Sequence, residues 1–122
     1  MGIGGRRSRP LSRKSQMSYQ IQYSPVAVRD LDRVWAEVFA ASKTPEIATK
    51  YVDDLMNHIL GKKEFPKSSS PLYYEGTFTG YYFIVFKAYM AFYHVQEDEI
   101  WIDRILYGKS DYIRTIFRTL DR

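Results

Sequence analysis

Asp103-Arg104 is the pair in this 122-residue chain whose types and position could do chemistry. It falls within Ile100–Tyr107, a run of apolar and β-branched residues that reads as a strand, and successive strand residues point to opposite faces. One of the two charges must therefore face the layer that covers the sheet, where an ion needs a partner or a function. Arg104 shares parity with Ile100 and Ile102, and Asp103 shares it with Trp101 and Ile105. The plain reading is an arginine tying its strand to the last helix through an acid such as Asp111. The functional reading is a guanidinium held out on an open groove to a phosphate or to a partner's carboxylate.

Other chemistries find little support. His58 sits in a helical pattern and His94 in a strand, with no HxxxH spacing and no cysteine, so no metal site is expected and each histidine reads as an ordinary, partly buried residue. Ser68-Ser69-Ser70 lies in a loop without a GxSxG context. Gly76 and Gly80 are too sparse for a phosphate-cradling loop, and Gly108-Lys109-Ser110 lacks the upstream glycine of a P-loop. No cofactor is expected.

The elements that must position Arg104 are legible. Tyr81–Phe86, Tyr89–Val95 and Ile100–Tyr107, separated by Lys87-Ala88 and Gln96-Glu97-Asp98-Glu99, predict an antiparallel meander. Upstream, Tyr19–Tyr23 alternates as a half-buried strand, and Leu72–Phe78 is ambiguous, a short strand with Gly76 as bulge or bend. Ser24-Pro25 opens a helix over about 25–41, with Val28, Leu31, Val34, Trp35, Val38 and Phe39 as its apolar stripe. Arg29, Asp30, Asp32, Arg33 and Glu37 fall off that stripe and read as a solvated face. Thr44-Pro45-Glu46 opens a second helix, which ends at Gly61, so the two form a hairpin. Lys62–Leu72 reads as an exposed loop. Gly108 ends the last strand, and Ser110 is expected to cap a final helix with Asp111 in its first turn.

The chain is 45% apolar and 16% aromatic, enough for one small domain with a real core. No apolar run is long enough to span a bilayer, and the absence of cysteine fits a reducing compartment, so a soluble cytoplasmic protein is expected. The net charge of +4 is unevenly spread. Residues 1–16 hold 5 of the 18 cationic residues and none of the 14 acidic ones, leaving 13 against 14 from Met17 onward. Residues 1–16 are expected to be a disordered basic tail or a non-native extension, and 17–122 the domain, which is too nearly neutral for general attraction to phosphate.

Strand, helical hairpin, then a meander closing on R-I-L-x-G-x-x-D resembles the RelE/ParE superfamily of toxins from type II toxin–antitoxin modules. YQIQYSPVAVRDLDRVW at 19–35 and AYMAFYHVQEDEIWIDRILYGKSDYIRTIF at 88–117 carry the likeness. It implies an α+β fold: a small antiparallel β-sheet packed against an N-terminal α-helical hairpin, with a short C-terminal helix. It also implies growth arrest by the free toxin, a role in plasmid stabilization, and a cognate antitoxin that wraps over the exposed sheet and groove. A homodimer or a toxin–antitoxin hetero-oligomer is expected.

Within that superfamily the ribonuclease branch cleaves mRNA on the ribosome, and the other branch inhibits gyrase. Here the strand arginine of the ribonucleases aligns with Met90, an upstream arginine with Tyr82, and the histidine of the closing motif with Tyr107. A ribonuclease would have to rely on Lys87, Tyr93, Arg104, Tyr107 and Lys109. The resemblance therefore favours the ParE-like, protein-targeting branch, with Tyr89, Phe92, Arg104, Lys109 and Asp111 as candidate partner contacts. With 20 Tyr, Trp and Phe residues, some aromatics are expected to line a partner-binding groove.

Overall fold

A computed structural model describes residues 19–120. The basic segment 1–16 lies outside the described residues. Strand β1 (Gln20–Tyr23) leads into helix α1 (Pro25–Ser42), helix α2 (Pro45–Leu60), strands β2 (Ser70–Tyr74), β3 (Thr77–Phe86), β4 (Tyr89–Gln96) and β5 (Glu99–Tyr107), and helix α3 (Tyr112–Leu120). The fold is the expected α+β arrangement. The five strands run in the order β1-β5-β4-β3-β2; β2 to β5 pair antiparallel, while β1 lies parallel to β5 and makes the sheet mixed. A parallel edge pair follows from connectivity, because the chain leaves β1 through a helical hairpin rather than a tight turn.

Local signals set most boundaries. The Ser24 hydroxyl accepts the Ala27 N–H at 3.0 Å, capping α1, and proline fills the first position of both long helices. Lys62–Leu72 is less of a loop than expected: Pro66–Ser68 forms a 3₁₀ turn and β2 already begins at Ser70. Leu72–Phe78 is a hairpin, with Glu75 and Gly76 in the left-handed region between its strands. The cap of α3 also differs. Ser110 turns its hydroxyl back to the Tyr107 carbonyl, and the Asp111 carbonyl accepts the Thr115 N–H instead.

The sheet is covered on both faces. Against one lie α1 and α2, burying Ala27, Val34, Leu55 and Ile59 on Ile84, Tyr93, Ile100, Ile102 and Ile105. Against the other, α3 inserts Ile116 among Leu72, Tyr81, Met90, Phe92 and Leu106. The expectation of an open outer face is thus corrected: its centre belongs to α3, because that helix's apolar stripe has no other surface to bury. Val85, 57% exposed, marks where the cover ends. Gly108 eases the close approach to β4 at this crossing: its N–H reaches the Ala88 carbonyl at 2.7 Å, and a Cβ there would stand a tight 3.3 Å from that oxygen. No helix among the described residues is long and apolar enough to cross a membrane.

Three hairpin turns carry a non-glycine residue at positive φ, Glu75 at 50°, Lys87 at 52° and Glu97 at 57°. A side chain there costs on the order of 1 kcal/mol, which glycine avoids. Glu97→Gly is expected to raise the urea midpoint, by up to about 1 kcal/mol of stability. Lys87→Gly should gain less, because it also removes the ammonium that lies over the Tyr51 ring at 5.1 Å. A lowered midpoint for Glu97→Gly would contradict this account of the turn.

Candidate functional site

Asp30 is the least expected residue of the region. Although charged, it is 1% exposed, on the stripe that also buries Ala27 and Val34. Its carboxylate accepts four hydrogen bonds: from Arg33 Nη1 at 2.7 Å, from Arg104 Nε at 2.9 Å and Nη2 at 3.2 Å, and from the Ile105 N–H at 2.8 Å. Arg33 closes the network by donating Nη2 to the Ile105 carbonyl at 2.8 Å. Burial alone would raise the carboxyl's pKa, but the donors from Arg104, Ile105 and Arg33 outweigh it and hold the group below the usual carboxylate range.

A β-bulge makes this possible. Phe92 faces Arg104 and Tyr93 faces Ile102, so Asp103 is an extra residue on β5. Parity along β5 resets there, and Ile102 and Ile105, three apart, both enter the hairpin-side core. The alternation used to assign Asp103 and Arg104 to faces therefore fails at this point. Arg104 does bridge, but to α1 through Asp30 and not to α3; Asp111 instead pairs with Arg114 at 3.2 Å on the surface.

The bulged Asp103 faces a different set of groups. Its Oδ2 lies 2.5 Å from His94 Nδ1, and its backbone carbonyl accepts the Ser24 hydroxyl at 3.1 Å. Burial raises the Asp103 carboxyl, with His94 partly offsetting it. Next to it opens a cleft of about 470 Å³ lined by Ser24, Val26, Arg29, Asp103, Arg104, Thr115 and Arg118. Arg29, Arg118 and the His94–Asp103 pair were not singled out in the sequence, where Arg29 read as solvated and His94 as ordinary. The reading of Asp30 as part of a solvated face is corrected: it is buried with Ala27 and Val34, because its donors lie on β5 and not only on its own helix.

The residues proposed for phosphodiester chemistry do not converge. Tyr93 is fully buried with its hydroxyl donated to the Pro66 carbonyl, and burial raises its pKa. Lys87 lies over Tyr51 and Phe86 beside the helical hairpin. Tyr107 packs edge-on to Tyr89, and Lys109 is exposed in the turn beyond it. Lys87, Tyr107 and Lys109 thus share one end of the sheet, while Arg104 and Tyr93 are held at its middle. Met90 is packed beneath α3.

The suggested partner contacts also divide. Phe92 is 0% and Tyr89 5% exposed, so neither ring offers a free surface. Phe92 sits under Tyr112, and Tyr89 donates its hydroxyl to Glu37 at 2.5 Å. Burial first, and then Glu37, push the Tyr89 pKa far above the ordinary phenol value. Phe92 lies mid-sheet beneath α3, and Tyr89 begins β4 at the end of the sheet, opposite Tyr107. Arg104, Lys109 and Asp111 keep some exposure. The exposed aromatics lie elsewhere, with Tyr73, Tyr74 and Phe78 on the β2–β3 hairpin. Tyr81 lies in the α3-side core, its hydroxyl pushed up to about 12 by burial and by the Asp103 carboxylate.

Residues 21–112 match the family model described as the ParE toxin of the type II toxin–antitoxin system parDE. The chain belongs to the ParE toxin family. The ParE match runs from β1 to the first residue of α3, and so includes Asp30, the bulge and Arg104. Among solved structures, the chromosomal ParDE toxin–antitoxin system from P. aeruginosa aligns with a TM-score of 0.63 at 20% identity, covering 75% of this chain and 98% of that one. The RelBE2 toxin–antitoxin complex from Mycobacterium tuberculosis aligns with a TM-score of 0.53 at 17% identity, covering 74% and 98%. At such identities the likeness is one of fold. No protein of curated function matches the chain significantly in sequence.

Replacing Asp30 by Asn leaves the mostly buried Arg104 guanidinium and the partly exposed Arg33 facing a neutral amide, and is expected to cost about 3 kcal/mol. The pH dependence follows from the lowered carboxyl. Its contribution is complete above the unfolded value, about 3.9, and is lost as pH falls through the depressed folded value. The stability gap between the native chain and Asp30→Asn, measured by urea unfolding, should be flat from about pH 7 to 5 and narrow below about pH 4. A gap that widened on acidification would reverse the assignment.

Proposed function

We propose that this toxin arrests growth by binding a protein target in the manner of ParE, with DNA gyrase the family expectation. We further propose that a cognate antitoxin neutralises it in a cytoplasmic hetero-oligomer. The observation that carries this reading is the fate of the ribonuclease positions. Met90 and Tyr107 stand where that branch has a cation and a proton-transfer group, and Lys87, Tyr93, Arg104, Tyr107 and Lys109 gather no common site to replace them. Stabilising a phosphorane-like transition state needs donors aimed at one point, and dispersed ones supply little.

The surface supports the same reading. Tyr73 is 56% and Phe78 42% exposed, and their rings meet at 5.8 Å beside the outermost strand β2. Aromatic patches of this kind suit protein contact, and an edge strand offers unpaired backbone groups to an added strand. From Met17 onward the chain has slightly more acid than base, which gives little steering toward RNA.

Purified protein should block DNA supercoiling by gyrase at stoichiometric concentration while leaving mRNA intact in a translating extract. Cleavage of the message with supercoiling unaffected would overturn the proposal in favour of the ribosome-dependent ribonuclease. If neither assay responds and overexpression leaves growth unchanged, the chain is a degenerate member that retains antitoxin binding alone.

A further inference from the structure

The cleft at the bulge is built from three elements. The start of α1 gives Val26 and Arg29, β5 gives Asp103 and Arg104, and α3 gives Arg118. Arg29 and Arg118 are exposed and make no ion pair among the described residues. Arg104 is different, because Nε and Nη2 are fixed on Asp30 while Nη1 has no hydrogen-bond partner there. A guanidinium already clamped by a buried carboxylate has little rotamer freedom left to lose on binding. The N-terminus of α1 adds partial positive charge at the same wall.

We propose that this cleft receives an acidic side chain of a partner protein, its carboxylate seated among Arg29, Arg104 and Arg118. The inference rests on the protein-binding reading above and assigns it a contact. Charge and shape favour a carboxylate over a nucleic-acid phosphate. Planar guanidinium groups match a carboxylate in two-point contact, and Val26, 36% exposed, offers the methylene groups of a glutamate an apolar wall. Asp103 also lines the cleft and repels a second negative charge, although His94 on its Oδ2 tempers that repulsion. A chain with no net basic field beyond residue 16 does not gather a polyanion.

The test follows the arginine side-chain Nε–H signals of the full chain by NMR, with three probes. These are a short acetylated and amidated peptide carrying two glutamates, its glutamine counterpart, and a single-stranded RNA of similar length. Saturable shifts at Arg29, Arg104 and Arg118 are expected with the glutamate peptide and not with the glutamine one. The double substitution Arg29→Gln/Arg118→Gln should weaken binding about tenfold or more, with an unchanged thermal midpoint because both side chains are exposed. Equal response to the glutamine peptide, shifts spread over the other arginines, or RNA binding that the glutamate peptide cannot displace would each overturn the proposal. Supercoiling assays separate the two readings. Gyrase inhibition without these shifts removes the cleft and keeps the target, and shifts without inhibition do the opposite.

Discussion

A single buried carboxylate joins the two halves of this domain. Asp30 lies on α1, which the sequence places early, and its four donors include the Ile105 amide and the Arg104 guanidinium from β5, more than 70 residues later. A carboxylate cannot enter an apolar layer unless its oxygens are satisfied, so the pairing fixes where α1 crosses the sheet as well as holding it there. Arg33 reinforces the same contact by reaching the Ile105 carbonyl. The helix, the strand and the bulge are therefore coupled: displacing any one of them leaves a charge or a backbone group unpaired in the core.

The bulge is what lets one strand serve two layers at once. With Asp103 as the extra residue, Ile102 and Ile105 both enter the hairpin-side core while Leu106 enters the α3 side. Arg104 is then aimed along the sheet margin toward α1, and Asp103 toward His94 and the cleft. Bulges commonly redirect side chains beside binding sites, and here the redirection gives two adjacent charges separate partners. Belonging to the ParE family, the chain keeps the general frame of these toxins, while the residues near the bulge set the character of its surface.

Under the proposed function that character is one of contact. Tyr81, Tyr89 and Tyr93 have their pKa values raised by burial, and Tyr89 and Tyr93 have their hydroxyls engaged, on Glu37 and on the Pro66 carbonyl. Of the exposed aromatic rings, Tyr73, Tyr74 and Phe78 gather on the β2–β3 hairpin, at the sheet edge opposite β1, while Phe39, Phe65 and Tyr107 lie elsewhere. Covering the middle of both faces leaves the edge, the cleft and the ends of the strands as the surfaces through which a partner can act.

The sequence by itself determined the elements, because their signals are local. Ser24-Pro25 and Thr44-Pro45 start the helices, the aromatic and β-branched runs mark the meander, and R-I-L-x-G-x-x-D marks the family. Those signals reach only a few residues along the chain. Whether α3 folds back over the outer face, whether Phe92 and Tyr89 are covered, and which acid receives Arg104 depend on groups far apart in sequence, which only the packed tertiary structure brings together. Alternation along β5 misassigned a face because one inserted residue resets the period, and nothing local to Asp103 announces that its partner strand is one residue shorter. Asp30 is the plainest case: it falls off the apolar stripe read from the sequence and reads as part of the solvated face, yet it is buried, because the arginine that makes burial tolerable lies on β5 and only folding brings it within reach.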